Sequence, residues 1–168
     1  MTEEQLKNKK LIEKYPFLKF DYKYENEKDY DATILDCMTE GWITAFGEEM
    51  CEELKQALIE ETSAYTEEEL KEMYEWYVND KDSKIKYPLS LLYIWKIEQL
   101  KEKYGEMRLY PNFYTEKIED IIEKYTIISQ TTCINCGKKA KWLSTGWICP
   151  FCDDCKVDDL IYTPIVER

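Results

Sequence analysis

Cys133-Ile134-Asn135-Cys136-Gly137 and Cys149-Pro150-Phe151-Cys152-Asp153-Asp154-Cys155 hold five of the seven cysteines in this 168-residue chain. The pairs 133/136 and 152/155 are each Cys-x-x-Cys, and 15 residues separate them, which is the spacing of a four-thiolate zinc site. Each pair turns two sulfurs toward one point, and Gly137 permits the left-handed turn that follows such a knuckle. Four thiolates complete a tetrahedral Zn²⁺ and leave no position for water, so the expected site is closed and structural. Binding energy on the order of 10 kcal/mol is enough to fold a tail too short to build its own core. Cys149 leaves a second ligand set open, 133/136/149/152, with a 12-residue spacer. Pro150 favours the first set, because it stands where a knuckle amide normally points at sulfur and has no N–H to offer. A redox role needs a strand–helix context around the Cys-x-x-Cys, which is missing here. An iron–sulfur cluster would use the same four thiolates, since spacing alone does not choose the metal.

The charge distribution separates this tail from the rest. The chain carries 23 Lys+Arg, 35 Asp+Glu and no histidine, for a formal net charge of −12. Residues 131–168 hold five positive and five negative side chains, so the entire −12 sits on residues 1–130. Without histidine there is no imidazole general base, no Ser-His or Cys-His nucleophile pair and no His-ligated metal. The acidity argues against binding to duplex DNA along the whole chain, which needs clustered Lys and Arg. At 44% hydrophobic and 14% aromatic the chain is too rich in bulky residues for a disordered acidic tail and can bury a core. No apolar run approaches the roughly 20 residues of a membrane span. Met1-Thr2-Glu3-Glu4-Gln5 is acidic and polar, unlike a secretory signal, so a cytoplasmic protein with reduced or metal-bound thiols is expected.

Caps and periodicity predict the body. Thr2-x-x-Gln5 opens a helix through Leu6, Leu11 and Ile12 that ends before Pro16. Residues 17–33 show no period and read as loop. Phe46, Met50, Leu54 and Leu58 recur every four residues and predict a helix to about Glu60. Thr66-x-x-Glu69 starts another, with Leu70, Met73, Tyr74 and Tyr77 inward. Pro88 suits the first residue of a third long helix, carrying Leu91, Ile94, Trp95 and Leu100 and stopped by Gly105; a hairpin whose first arm runs from Tyr93 to Lys101 is the alternative. Met107 to Tyr110 alternates as a short strand ending at Pro111, and Thr115 caps a helix with Ile118, Ile121, Ile122 and Tyr125.

Other candidates read as structural. Glu48, Glu49, Glu52, Glu53, Glu60 and Glu61, and likewise Glu67, Glu68 and Glu69, resemble solvated helix faces more than paired catalytic carboxylates. Cys37 and Cys51 behave as small hydrophobes. Trp142, Trp147, Lys138, Lys139 and Lys141 form a weak version of a single-strand clamp; otherwise the tryptophans close the small ribbon core.

Three stretches act in combination: Gly41-Trp42-Ile43-Thr44-Ala45-Phe46-Gly47; the run from Ile97 to Tyr110, which includes Lys101-Glu102-Lys103-Tyr104-Gly105; and Thr132 to Gly137 with Gly146-Trp147-Ile148 before Cys152-Asp153-Asp154-Cys155. The combination resembles small proteins encoded by bacteriophages and prophages, mostly of unassigned function, and Leu11 to Leu18 fits it as well. In that pattern the second knuckle falls on Cys152 and Cys155, with a non-cysteine common where Cys149 stands, and residues 62–86 depart as an insertion. The resemblance implies a phage context and supplies no reaction.

The expected architecture is α+β: a mostly helical acidic body over 1–130 with a short strand or hairpin, and a zinc-ribbon tail over 131–168 packed on it. One structural Zn²⁺ is expected on Cys133, Cys136, Cys152 and Cys155, with no catalytic residues. The expected function is non-enzymatic: a phage-encoded protein that binds and inhibits a host protein in the host cytoplasm, for example a nucleic-acid-binding or defence protein such as a CRISPR effector. The alternative is an accessory protein that binds nucleic acid through the ribbon.

Overall fold

A computed structural model describes residues 1–20, 30–78 and 88–166. Helix α1 (Glu3–Lys14) begins at the expected cap, where the Thr2 and Gln5 side chains and backbones bond reciprocally. The loop reading of 17–33 needs correction at its start. Pro16–Leu18 form a 3₁₀ turn, and Phe17 and Leu18 are fully buried. Residues 21–29 of that stretch lie outside the described residues. A second helix, α2, runs as an α-turn (Glu40–Trp42), a π-turn (Ile43–Gly47) and a regular segment (Glu48–Thr62). Helix α3 (Glu67–Val78) starts at the Thr66/Glu69 box, whose bonds are both present.

The long helix expected from Pro88 to Gly105 is replaced by a helical turn and a strand, which with the expected strand at 107–110 makes the alternative, a hairpin. Ser90 caps a single turn, α4 (Leu91–Ile94), and the chain then enters strand β1 (Ile97–Lys103), which pairs antiparallel with β2 (Glu106–Pro111). The reason is local. Ile97 and Leu100 are both buried although three residues apart, because the register slips between Ile97 and Gln99 and makes a bulge at Glu98. A bulge resets the two-residue alternation of a strand, and the resulting spacing of three imitates a helix. Gly105 ends no helix; with Tyr104 it forms the two-residue hairpin turn, both at positive φ (57° and 81°).

Helix α5 (Glu116–Ser129) starts at its Thr115 cap and packs on β2. There Ser129, wholly buried, accepts from the Met107 N–H (2.8 Å) and donates to the Thr126 carbonyl. The tail adds a three-stranded antiparallel sheet in the order β4–β3–β5, from β3 (Trp142–Ser144), β4 (Pro150–Phe151) and β5 (Tyr162–Pro164). Helices and two small antiparallel sheets make this an α+β fold. Among the described residues no helix is long and apolar enough to cross a membrane.

One core joins these parts. Trp95 lies at its centre, edge-on to Phe17 with centroids 5.3 Å apart, and its indole N–H donates to the Phe113 carbonyl at 3.0 Å. Ile134, Cys149 and Phe151 of the tail belong to the same core as the body. Cys51 is buried in it as expected of a small hydrophobe, whereas Cys37 is exposed. Trp95→Ala should therefore lower the unfolding free energy by roughly 3–5 kcal/mol in urea titrations. A loss below about 1 kcal/mol would mean the indole is not the centre of the core.

Candidate metal centre

Each knuckle is built by its own backbone. After Cys133, the Gly137 N–H donates to the Cys133 carbonyl at 3.0 Å, with Gly137 at φ 76°, and the Cys133 N–H donates to the Lys138 carbonyl at 2.8 Å. After Cys152, a 3₁₀ turn (Asp153–Cys155) lets the Cys155 N–H donate to the Cys152 carbonyl. Strands β3 and β4 hold the second knuckle beside the first.

The sulfurs of Cys133, Cys136, Cys152 and Cys155 all lie within 4.8 Å of one another, and those of Cys136 and Cys152 are 3.5 Å apart. A tetrahedral ion with metal–sulfur bonds of about 2.3 Å sets its sulfurs about 3.8 Å apart, so the group can chelate one such ion. The electrostatics favour a cation. Burial raises the Cys133 thiol, but the N–H groups of Cys152, Cys136 and Asn135 outweigh it and bring it down to about 7. Burial and the neighbouring sulfurs push Cys155 well above the usual thiol range, and burial leads the rise at Cys152. Crowded thiols that oppose one another's ionisation are relieved by a shared positive ion.

Cys149 is elsewhere. It is fully buried in the common core, its backbone N–H bonds the Ser144 hydroxyl at 3.0 Å, and burial, reinforced by Glu102, pushes its thiol up to about 12. The structure brings Cys155, and not Cys149, to the other three.

The site is wedged against α2, a feature that spacing did not reveal. The Gly41 N–H donates to the Ile134 carbonyl at 2.8 Å, and the buried Trp42 indole donates to the Thr132 carbonyl at 2.9 Å. A Cβ on Gly41 would stand 2.2 Å from the Cys133 carbonyl oxygen, and one on Gly137 would stand 2.6 Å from the Gly41 oxygen. The π-turn begins directly after this contact, so Gly41 and Ala45 face the knuckle while Phe46 and Met50 face the core. The available signal was the Gly-Trp pair itself.

The ribbon lysines have local partners. Lys138 meets Asp154 at 2.9 Å, Lys141 pairs with Asp153, and Lys156 lies 4.1 Å from the centre of the Trp142 ring, whose N–H donates to Asp153. Trp142 is half-buried and Trp147 is 64% exposed, so the ribbon core is closed by the first at most. Five glutamates of α2 are likewise engaged: Glu48 with Lys14, Glu52 with the Tyr15 hydroxyl, Glu53 with Lys124 and the Tyr125 hydroxyl, Glu60 with Lys117, and Glu61 with Thr115. Among the described residues only the four cysteines converge as a possible metal site. No family model, curated protein or solved structure matches the chain.

Elemental analysis should find one metal ion per chain, lost in Cys133→Ser and Cys155→Ser and kept in Cys149→Ser. The reverse pattern for the last two would move the site to Cys149. Because the ligands bind as thiolates, retention should fall as pH is lowered, with proton uptake on release. Gly41→Ala should destabilise the protein on the order of 3 kcal/mol and loosen the metal without touching a ligand, as a thermal melt and a chelator competition would read. Normal melting and retention in that variant would separate the knuckle from the helix.

Proposed function

We propose that this is a non-enzymatic, zinc-stabilised binding protein of bacteriophage or prophage type, acting in the host cytoplasm to engage and inhibit a host protein of a defence system. Zinc is the ion that four thiolates in a closed tetrahedron suit best, and such a site has no position left for water or substrate. The missing histidine and the intramolecular pairing of the α2 glutamates support a binding role over a catalytic one.

The observation that carries this reading is the outward face of α3. Glu68, Glu72 and Glu75 are exposed there, and Trp76 stands among them with 79% of its surface in solvent. Leu70 and Tyr74 anchor the opposite face in the core, and the Tyr77 ring lies tilted against Phe113 with centroids 4.7 Å apart, so the outward face is left to solvent. An exposed tryptophan within a field of carboxylates is the composition of an interface centre aimed at a basic protein surface, such as a nucleic-acid groove. Nucleic-acid binding through the ribbon is the weaker reading, because Lys138 and Lys141 already face Asp154 and Asp153.

Affinity capture from bacterial host lysate at low salt should recover one stoichiometric protein and inhibit its activity. Trp76→Ala and Glu72→Lys should each release it while leaving the melting temperature unchanged. Recovery of no partner, or of one indifferent to both substitutions, would overturn the assignment.

A further inference from the structure

The acidic chain also carries a small face of the opposite character. In the β1–β2 register Lys101 stands opposite Arg108, Lys103 opposite Glu106 and Gln99 opposite Tyr110. Strand alternation puts these six on the side away from the buried Leu100, Met107 and Leu109. Glu106 is taken by Arg108 and by the Gln130 amide. Lys101 donates to the Gln99 side chain and lies 5.6 Å from the centre of the Tyr110 ring, and Lys103 lies 5.4 Å from that of Tyr104. Among the described residues neither lysine is paired with a carboxylate. Two residues apart on one strand, their stems are about 6.6 Å from each other.

Tyr104 is placed against its backbone preference. At φ 57° it occupies the left-handed region, where the turn favours Asn or Gly. Its ring does not offset that strain by burial, being 70% exposed. Tyr110 adds a second exposed ring on the lysine face. Trp147 is exposed too, but its indole N–H reaches the Glu102 carboxylate at 3.3 Å, on the side of β1 opposite Lys101 and Lys103.

We propose that the outer face and tip of the β1–β2 hairpin, with the Tyr104 and Tyr110 rings, form a platform for single-stranded nucleic acid. Exposed rings stack on unpaired bases irrespective of sequence, and the Lys101 and Lys103 ammonium groups meet phosphates. A duplex hides its base faces and brings denser charge toward an acidic body, so it is rejected. The platform goes beyond the protein-binding reading, lies on other elements than Trp76 and stands or falls separately from it.

Fluorescence anisotropy of labelled oligothymidine and a matched duplex with the full chain tests this. Saturable binding to the single strand is expected, with log K falling against log salt at a slope of about −1.4 for two contacts. Lys101→Gln with Lys103→Gln should flatten the slope toward zero. Tyr104→Asn should weaken binding roughly five-fold or more while the melting temperature holds or rises, because Asn suits the turn. Trp76→Ala should bind like the wild type. The proposal is overturned by no binding at about 100 μM protein, the weak end of non-specific association. Equal affinity for the duplex overturns it too, as does wild-type binding by the Tyr104 and double-lysine variants. The lysine pair lies at the surface, so its result stands even if a tyrosine variant misfolds.

Discussion

Gly41 and Gly137 bring the backbones of α2 and of the first cysteine knuckle into direct contact, and there is no room for a side chain between them. The seating of the tail follows from this approach. It aligns the Gly41 N–H with the Ile134 carbonyl and the Trp42 indole with the Thr132 carbonyl, so two backbone acceptors of the knuckle are satisfied by the body. It also carries Ile134, Cys149 and Phe151 into the common core. Binding energy from an ion at the thiolates would thereby be coupled to the packing of α2, and the cysteine cluster belongs to the body as much as to the tail.

Charge takes three different forms on this fold. The α2 glutamates bind α1 and α5 through exposed or half-exposed pairs with Lys14, Lys117 and Lys124, each contributing little alone. Those on α3 are directed outward around Trp76. The tail is neutral because Asp153 and Asp154 sit opposite Lys141 and Lys138. Among the described residues, charge thus divides into internal pairing, an acidic face on α3 and a small basic face on the hairpin.

Local rules made much of the fold legible. The boxes at Thr2 and Thr66 and the cap at Thr115 mark true helix starts, because capping is decided within three residues. The four-residue period of Phe46, Met50, Leu54 and Leu58 marks a true buried stripe. The misreading of residues 88–105 has an equally physical cause. A bulge at Glu98 gives Ile97 and Leu100 the spacing of a helix face, and only the pairing with β2 reveals it. Phe17 and Leu18 fall in a stretch that reads as loop because one 3₁₀ turn has no period, although the core covers both completely.

By itself, the sequence determined which groups can bind a metal: without histidine, a converging site built on Cys-x-x-Cys pairs must be all thiolate, and hence closed. It also determined the helix starts and where the negative charge resides along the chain. Tertiary structure alone decided that Cys155 joins the cluster while Cys149 is sealed in the core, that five α2 glutamates are paired while Trp76 and Tyr104 are displayed, and that the knuckle rests on Gly41. The reason is range. Ligand chemistry and capping act between near neighbours, whereas burial and backbone approach depend on segments some ninety residues apart, as with the Trp42 indole on the Thr132 carbonyl.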